Sequence, residues 1–296
     1  MGVRNSWKEF AWNGIRFRSP ADWEAREIGK NYLLIEREFR PVLEIKWDRV
    51  KGTFSHHAHL HKLAQRQKKH LGKDISEWPL PAEWQKALET YEAIGFSWQG
   101  NSIEGKGVIL YCPECRQATL MQFYDTDLKT TEQIAVDLLA SFGDHSDENH
   151  VIWSVYDIRA VIPESFKLVR HRFEAGEFEL EFDSGEHKIT LWRWAPASII
   201  FADKNLERFA QAKIPMSIQN PSLESVKGHE GSRWEMFFPP YTWARFWNRI
   251  KRRPSFVRFL IWHLEEKNRL MGIRFEGKNP IDAGLADTIV ANYDAI

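Results

Sequence analysis

The chain has 296 residues, 43% hydrophobic and 28% charged, with 41 basic residues balanced by 41 acidic ones. That length suits two ordinary domains, because single cores stop growing near roughly 250–300 residues. The zero net charge excludes a global attraction to nucleic acid or acidic lipid, and two cysteines, Cys112 and Cys115, exclude a disulfide framework.

Fourteen Trp and 19 Phe supply enough apolar area for two substantial cores. No run approaches the roughly 18 apolar residues of a membrane span, and the first residues lack the apolar core of an export signal. The expectation is a cytoplasmic protein that does not enter a membrane.

Taken in order, Ile15 and Phe17 alternate with arginines, which predicts a half-buried strand closed by Pro20. Tyr32–Glu36 and Val42–Trp47 read as two more strands. Ser55 is placed to cap a helix over about His56–Lys69. A second run of strands starts at Gly95. Val108–Tyr111 and Thr119–Tyr124 form a hairpin around Cys112-Pro113-Glu114-Cys115, and a helix over about Thr131–Phe142 ends at Gly143, expected as its C-cap. The polar, acidic stretch Gly143–His150 reads as a domain boundary, giving domains 1–147 and 148–296.

After that boundary the order returns. Ile158 follows Ile15 by 143 residues, Leu206 follows Leu60 by 146, and Leu285 follows Ile134 by 151. A spacing that drifts in one direction is what a duplication with small loop insertions produces. The long interruption from Ile214 to Arg253 reads as an insertion, a place where function is often added. Short turns between strands imply antiparallel sheets, and helices at separate points imply cover on their faces. The predicted class is therefore α+β in two tandem repeats, each an antiparallel sheet with flanking helices.

The run Gly14-Ile15-Arg16-Phe17-Arg18-Ser19-Pro20-Ala21-Asp22-Trp23, with a closing helix ending in Ser141-Phe142, resembles the PsbP-like fold. That group includes a photosystem extrinsic subunit and a Ran-binding nuclear-import factor, and its members are mostly binding or assembly proteins without catalysis. The resemblance implies a non-enzymatic role. The Cys-Pro-Glu-Cys knuckle is not part of that group's pattern.

Three features could carry chemistry. Cys112 and Cys115 at a hairpin tip can turn both thiolates to one side, as tetrahedral zinc requires, but a structural site needs four ligands. Three readings compete: two subunits each give a pair in a homodimer, histidines of this chain complete the site, or the two are simply reduced thiols. His57 and His61 are four apart on one helix face and are the histidine candidates, although a solvated helix face has the same spacing. The segment Tyr241–Arg253 sets Trp243 and Trp247 among Arg245, Arg249 and Arg252. It can grip phosphates or RNA, dock an acidic protein partner, or form an ordinary amphipathic helix. The chain lacks a phosphate-binding Gly-rich loop, a nucleophile elbow and a His-Glu-x-x-His motif. The sequence is thus read as a binding or assembly protein of unidentified partner. The alternatives are a zinc protein or a nucleic-acid-associated factor.

Overall fold

A computed structural model describes residues 6–71, 74–100, 104–125, 128–145, 149–202, 206–213, 222–237 and 254–296. The chain divides into two compact units, Met1–Glu148 with Ser154–Tyr156, and Asn149–Trp153 with Asp157–Ile296. The class is broadly α+β and mostly β, with antiparallel sheets. Among the described residues no helix is long and apolar enough to cross a membrane.

The first unit opens with the hairpin β1 (Trp7–Trp12) and β2 (Ile15–Pro20). There follow β3 (Glu24–Gly29), β4 (Tyr32–Arg37), β5 (Arg40–Arg49), α1 (His56–Leu71), β6 (Asp74–Trp78) and α2 (Ala82–Ala87). The unit continues with β7 (Glu92–Gln99), β8 (Glu104–Tyr111), β9 (Gln117–Asp125) and α3 (Leu128–Ala140). Its seven-stranded sheet runs β3-β4-β5-β9-β8-β7-β6. Alternation along β5 buries Leu43, Ile45 and Trp47, and the register sets Leu43 opposite Phe123 and Ile45 opposite Met121, all buried. The alternate face carries Phe96, Trp98 and Ile109, which α1 covers with Leu60 and Leu63. Ser55 Oγ accepts from the backbone N–H of Ala58 at the start of α1.

The second unit contains β10 (His150–Val155, shared between the units), β11 (Ile158–Pro163), β12 (Lys167–Glu174), β13 (Glu177–Asp183), β14 (His187–Trp194), α4 (Ala197–Ile200) and α5 (Leu206–Lys213). After these come β15 (Ser222–Val226), β16 (His229–Phe237), β17 (Phe256–Leu264), a 3-10 turn (Glu265–Lys267), β18 (Arg269–Gly277), α6 (Ala283–Ala291) and β19 (Asp294–Ala295). Its seven-stranded sheet runs β12-β13-β14-β18-β17-β16-β15, the same path as the first. Trp194, Trp234, Phe259 and Ile261 pack beneath Phe209 of α5.

Two sequence expectations change here. The stretch 214–253, read as an insertion, supplies β15 and β16, the outer strands of the second sheet. Its pattern hid them because β16 carries Gly231, Ser232 and Arg233 where an apolar alternation was sought. Gly143 is not a left-handed C-cap. It forms an antiparallel bridge with Arg16, with N–H···O bonds of 2.8 and 2.9 Å in the two directions. A Cβ there would lie 3.0 Å from Arg16 Nε, so glycine serves close approach rather than a positive φ.

Candidate metal centre

The knuckle is a tight connection between β8 and β9. The Arg116 N–H donates to the Cys112 carbonyl (2.9 Å) and the Cys112 N–H to the Gln117 carbonyl (2.9 Å). Arg116 takes the left-handed conformation, φ +60°, which turns the chain back into β9. Two further bonds tie the tip to the end of β5. The Val50 N–H donates to the Arg116 carbonyl, and Arg116 Nη2 donates to the Gly52 carbonyl. The knuckle is thereby held rigid before any side chain at its tip is considered.

Opposite it runs the segment leaving α3. The Gly143 bridge to β2 fixes the backbone, and the next two residues, Asp144 and His145, turn their side chains to the thiols. Cys112 and Asp144 are buried, while Cys115 and His145 are partly exposed. One ligand atom from each of Cys112, Cys115, Asp144 and His145 lies within 4.8 Å of all the others. Cys115 Sγ is 3.4 Å from Asp144 Oδ2, and Cys112 Sγ is 3.8 Å from His145 Nδ1. Tetrahedral zinc, with metal–sulfur bonds of about 2.3 Å and metal–nitrogen or metal–oxygen bonds near 2.0–2.1 Å, sets ligand–ligand edges of about 3.6 Å. The two observed edges bracket that value.

His145 Nδ1 also sits 2.7 Å from Asp144 Oδ1. That nitrogen either donates a proton to the carboxylate or binds a metal, and it cannot do both. The far nitrogen, Nε2, faces Glu114 Oε2 at 3.3 Å. A carboxylate holding the Nε2 proton leaves Nδ1 as the lone-pair nitrogen directed at the thiols.

Burial pushes the Cys115 thiol up to about 12. The Gln117 backbone N–H works against that rise, and the Asp144 charge and Cys112 add to it. Tyr91, whose hydroxyl lies 3.5 Å from Asp144 Oδ1, is likewise raised, first by burial and then by Asp144 and the two cysteines. A Cys115 thiol raised in this way beside the Asp144 carboxylate is a poor nucleophile. Such a set could hold a divalent cation, which would supply positive charge among these groups and deprotonate its thiol ligands.

The other expected site residues lie elsewhere. His57 and His61 are exposed on α1 and do not belong to the cluster, and His57 Nδ1 faces Glu77 at 3.5 Å. Their helix packs over the β7–β8 end of the sheet through Leu60, one residue before His61, which leaves both imidazoles outward. Trp243, Arg245, Trp247, Arg249 and Arg252 lie outside the described residues. Asp144 and His145 were absorbed into the polar stretch read as a domain boundary. The usable signal was an adjacent Asp-His pair directly after a glycine.

No protein-family model matches the chain, and no curated protein does. Solved structures do match. The apo immunity protein TplEi of T6SS from Pseudomonas aeruginosa is 11% identical with a TM-score of 0.37, the match covering 98% of this chain and 97% of that one. The same protein complexed with "L" peptide is 11% identical with a TM-score of 0.33, covering 99% of each chain. A Bacteroides thetaiotaomicron protein is 13% identical with a TM-score of 0.31, covering 52% of each chain. Likeness at these scores carries no inference about function.

Proposed function

We propose that this chain is a zinc-binding, non-enzymatic binding or assembly protein, with zinc held by Cys112, Cys115, Asp144 and His145. The observation that carries the reading is the convergence of four zinc-type ligands, two from a rigid hairpin tip and two from the segment after α3. A set of four protein ligands closes the coordination sphere, as in structural zinc sites, whereas catalytic zinc keeps a position open for water or substrate. The zinc would cross-link β8 and β9 to the chain leaving α3, which connects to β2 through Gly143. The donors come from one chain, which favours completion within a monomer over two cysteine pairs meeting across a homodimer. Free thiols of this kind suit a reducing compartment such as the cytoplasm.

The two units are read, within the same proposal, as products of a duplication. The identical strand path of the two seven-stranded sheets supports this, as do matching central pairs such as Leu43 with Phe123 and Ile189 with Phe275. The matching turn in the second unit is the 3-10 stretch Glu265–Lys267 without cysteine, so the metal site would be an acquisition of the first unit. The PsbP-like resemblance stays within this proposal, and none of the matched solved structures above is named for that group.

The test is the zinc content per chain of protein purified without a histidine tag, measured beside its mass in solution. One zinc per monomer is expected. Absence of zinc, with both thiols freely titratable, removes the proposal, and half a zinc per chain in a dimer replaces it with a shared site.

A further inference from the structure

The proposed zinc site would set three anionic ligands, two thiolates and the Asp144 carboxylate, against one divalent cation. That leaves one negative charge in excess, in ground where Cys112 and Asp144 are buried. Buried negative charge needs hydrogen-bond donors facing it. Two of the three anions have one. The Tyr91 hydroxyl lies 3.5 Å from Asp144 Oδ1, and the main-chain N–H of Gln117 favours the charged form of Cys115. The third, Cys112, is faced by His145 Nδ1 at 3.8 Å, but as a metal ligand that nitrogen has no proton to give.

The strand opposite Cys112 carries a donor with no acceptor. The β8–β9 ladder pairs Tyr111 with Ala118, and the next rung sets Cys112 opposite Gln117, with the Cys112 N–H donating to the Gln117 carbonyl at 2.9 Å. Residues opposite one another on antiparallel strands share a face, with Cβ atoms about 4.5–5.5 Å apart, within the span of a glutamine side chain. The burial pattern agrees: Leu110, Cys112, Gln117 and Thr119 are buried, while Tyr111 and Ala118 are half-buried. Gln117 is only 7% exposed, and its Nε2 is buried without a hydrogen-bond partner among the described residues. An unpaired buried amide donor is costly, and folded chains seldom keep one.

We propose that Gln117 is a positioning residue of the metal centre, its side-chain amide donating to the Cys112 thiolate when a divalent cation is bound. This inference rests on the zinc reading above. One residue then serves both sulfurs, with its main chain at Cys115 and its side chain at Cys112. Thr119 is the internal control. Its hydroxyl oxygen is likewise buried and unpartnered, but it stands opposite Leu110, which offers no charge.

Metal binding by the full chain, with zinc and with cobalt, tests this. Gln117→Leu removes the donor, and Gln117→Ile is a second variant should the first fail to fold. Each should weaken zinc binding about tenfold or more against a chromophoric chelator, with one metal per chain retained. Each should also move the thiolate-to-cobalt charge-transfer band to longer wavelength, because sulfur that loses a hydrogen bond gives up electron density more easily. In metal-free protein the effect has the opposite sign: the urea midpoint should hold or rise, since an unpaired buried donor is gone. A side chain that only packs would lower that midpoint and leave the band in place. Thr119→Val should leave both affinity and band unchanged. A band that neither Gln117 variant moves, or that Thr119→Val moves equally, overturns the proposal and leaves the metal centre standing. A wild-type chain that binds neither zinc nor cobalt overturns both.

Discussion

His145 presents its two ring nitrogens to different partners: Nδ1 to Cys112 and Asp144, Nε2 to the Glu114 carboxylate at 3.3 Å. Glu114 belongs to the same Cys-x-x-Cys turn as the thiols, so in the proposed zinc site the knuckle would supply two ligands and also orient a third. Partners of this kind typically change metal affinity about 10–100-fold. Glu114 is largely exposed, which sets the expectation at the lower end. Glu114→Gln should weaken zinc binding about tenfold in competition with a chromophoric chelator, with one zinc per chain retained. An unchanged affinity would show that the imidazole is oriented without it.

Removal of the metal should loosen the first unit. A ligand that binds only the folded state at 100 times its Kd adds about 2.7 kcal/mol. Zinc should therefore raise the melting temperature of the wild-type chain and of His57→Ala and His61→Ala alike. Cys112→Ser and His145→Ala should abolish that increment. If His57→Ala removed it instead, the ligand set proposed here would be wrong.

The sequence made parts of this legible and concealed others, for identifiable reasons. β5, β8 and β9 stood out because Leu43, Ile45, Val108, Met121 and Phe123 alternate or run together as buried strands do. β15 and β16 were concealed because these outer strands need little apolar surface: Glu224 of β15 pairs with Arg233 of β16, and Ser222 stands opposite Arg233. Cys112 and Cys115 were visible because spacing brings them together within one turn. Asp144 and His145 were not, because they stand 29 positions from Cys115 and 33 from Cys112 and meet them only in the folded chain, a long-range contact that local periodicity does not encode.

Trp84 closes the β6–β7 end of the first core. It is 2% exposed and contacts the rings of Trp78 and Phe123. Trp84→Ala should cost about 3–5 kcal/mol by urea unfolding, the usual range for deleting a large buried aromatic. A loss below 1 kcal/mol would mean that α2 collapses onto the gap or leaves the surface at little cost.

Asp157 accepts from both Arg193 and Arg269 in the second unit, and the Arg193 side chain is 7% exposed while its guanidinium lies 3.5 Å from the Phe178 ring centroid. Deleting one partner of a buried ion pair leaves an uncompensated charge and costs about 3–5 kcal/mol. Asp157 retains some exposure, so Asp157→Ala should fall near the bottom of that range. The double variant Asp157→Ala with Arg193→Met should recover part of the loss, since the stranded charge is then gone. Strict additivity of the two single losses would refute the coupling.

Acid should destabilise the second unit through two glutamates. Burial is the largest influence on Glu177 and would raise its carboxyl, but the Lys213 hydrogen bond and charge, with Trp194 and Arg172, together outweigh it and hold the carboxyl below its ordinary value. Burial likewise opposes the fall at Glu235, where hydrogen bonds and charge from Arg233 and Arg258 prevail. A carboxyl lower in the folded than in the unfolded chain contributes its stability above the unfolded value, near 4.3, and loses it as pH falls through the folded value. Stability should therefore be flat from pH 7 to about 5 on account of these groups, and should decline below about 4.3. Glu177→Gln and Glu235→Gln should each lower the urea midpoint at pH 7 and flatten its fall between pH 4 and 3. The salt bridges are partly exposed, so added salt should shrink both effects. Midpoints of the glutamine variants that run parallel to wild type across this window would show that neither carboxyl titrates with folding.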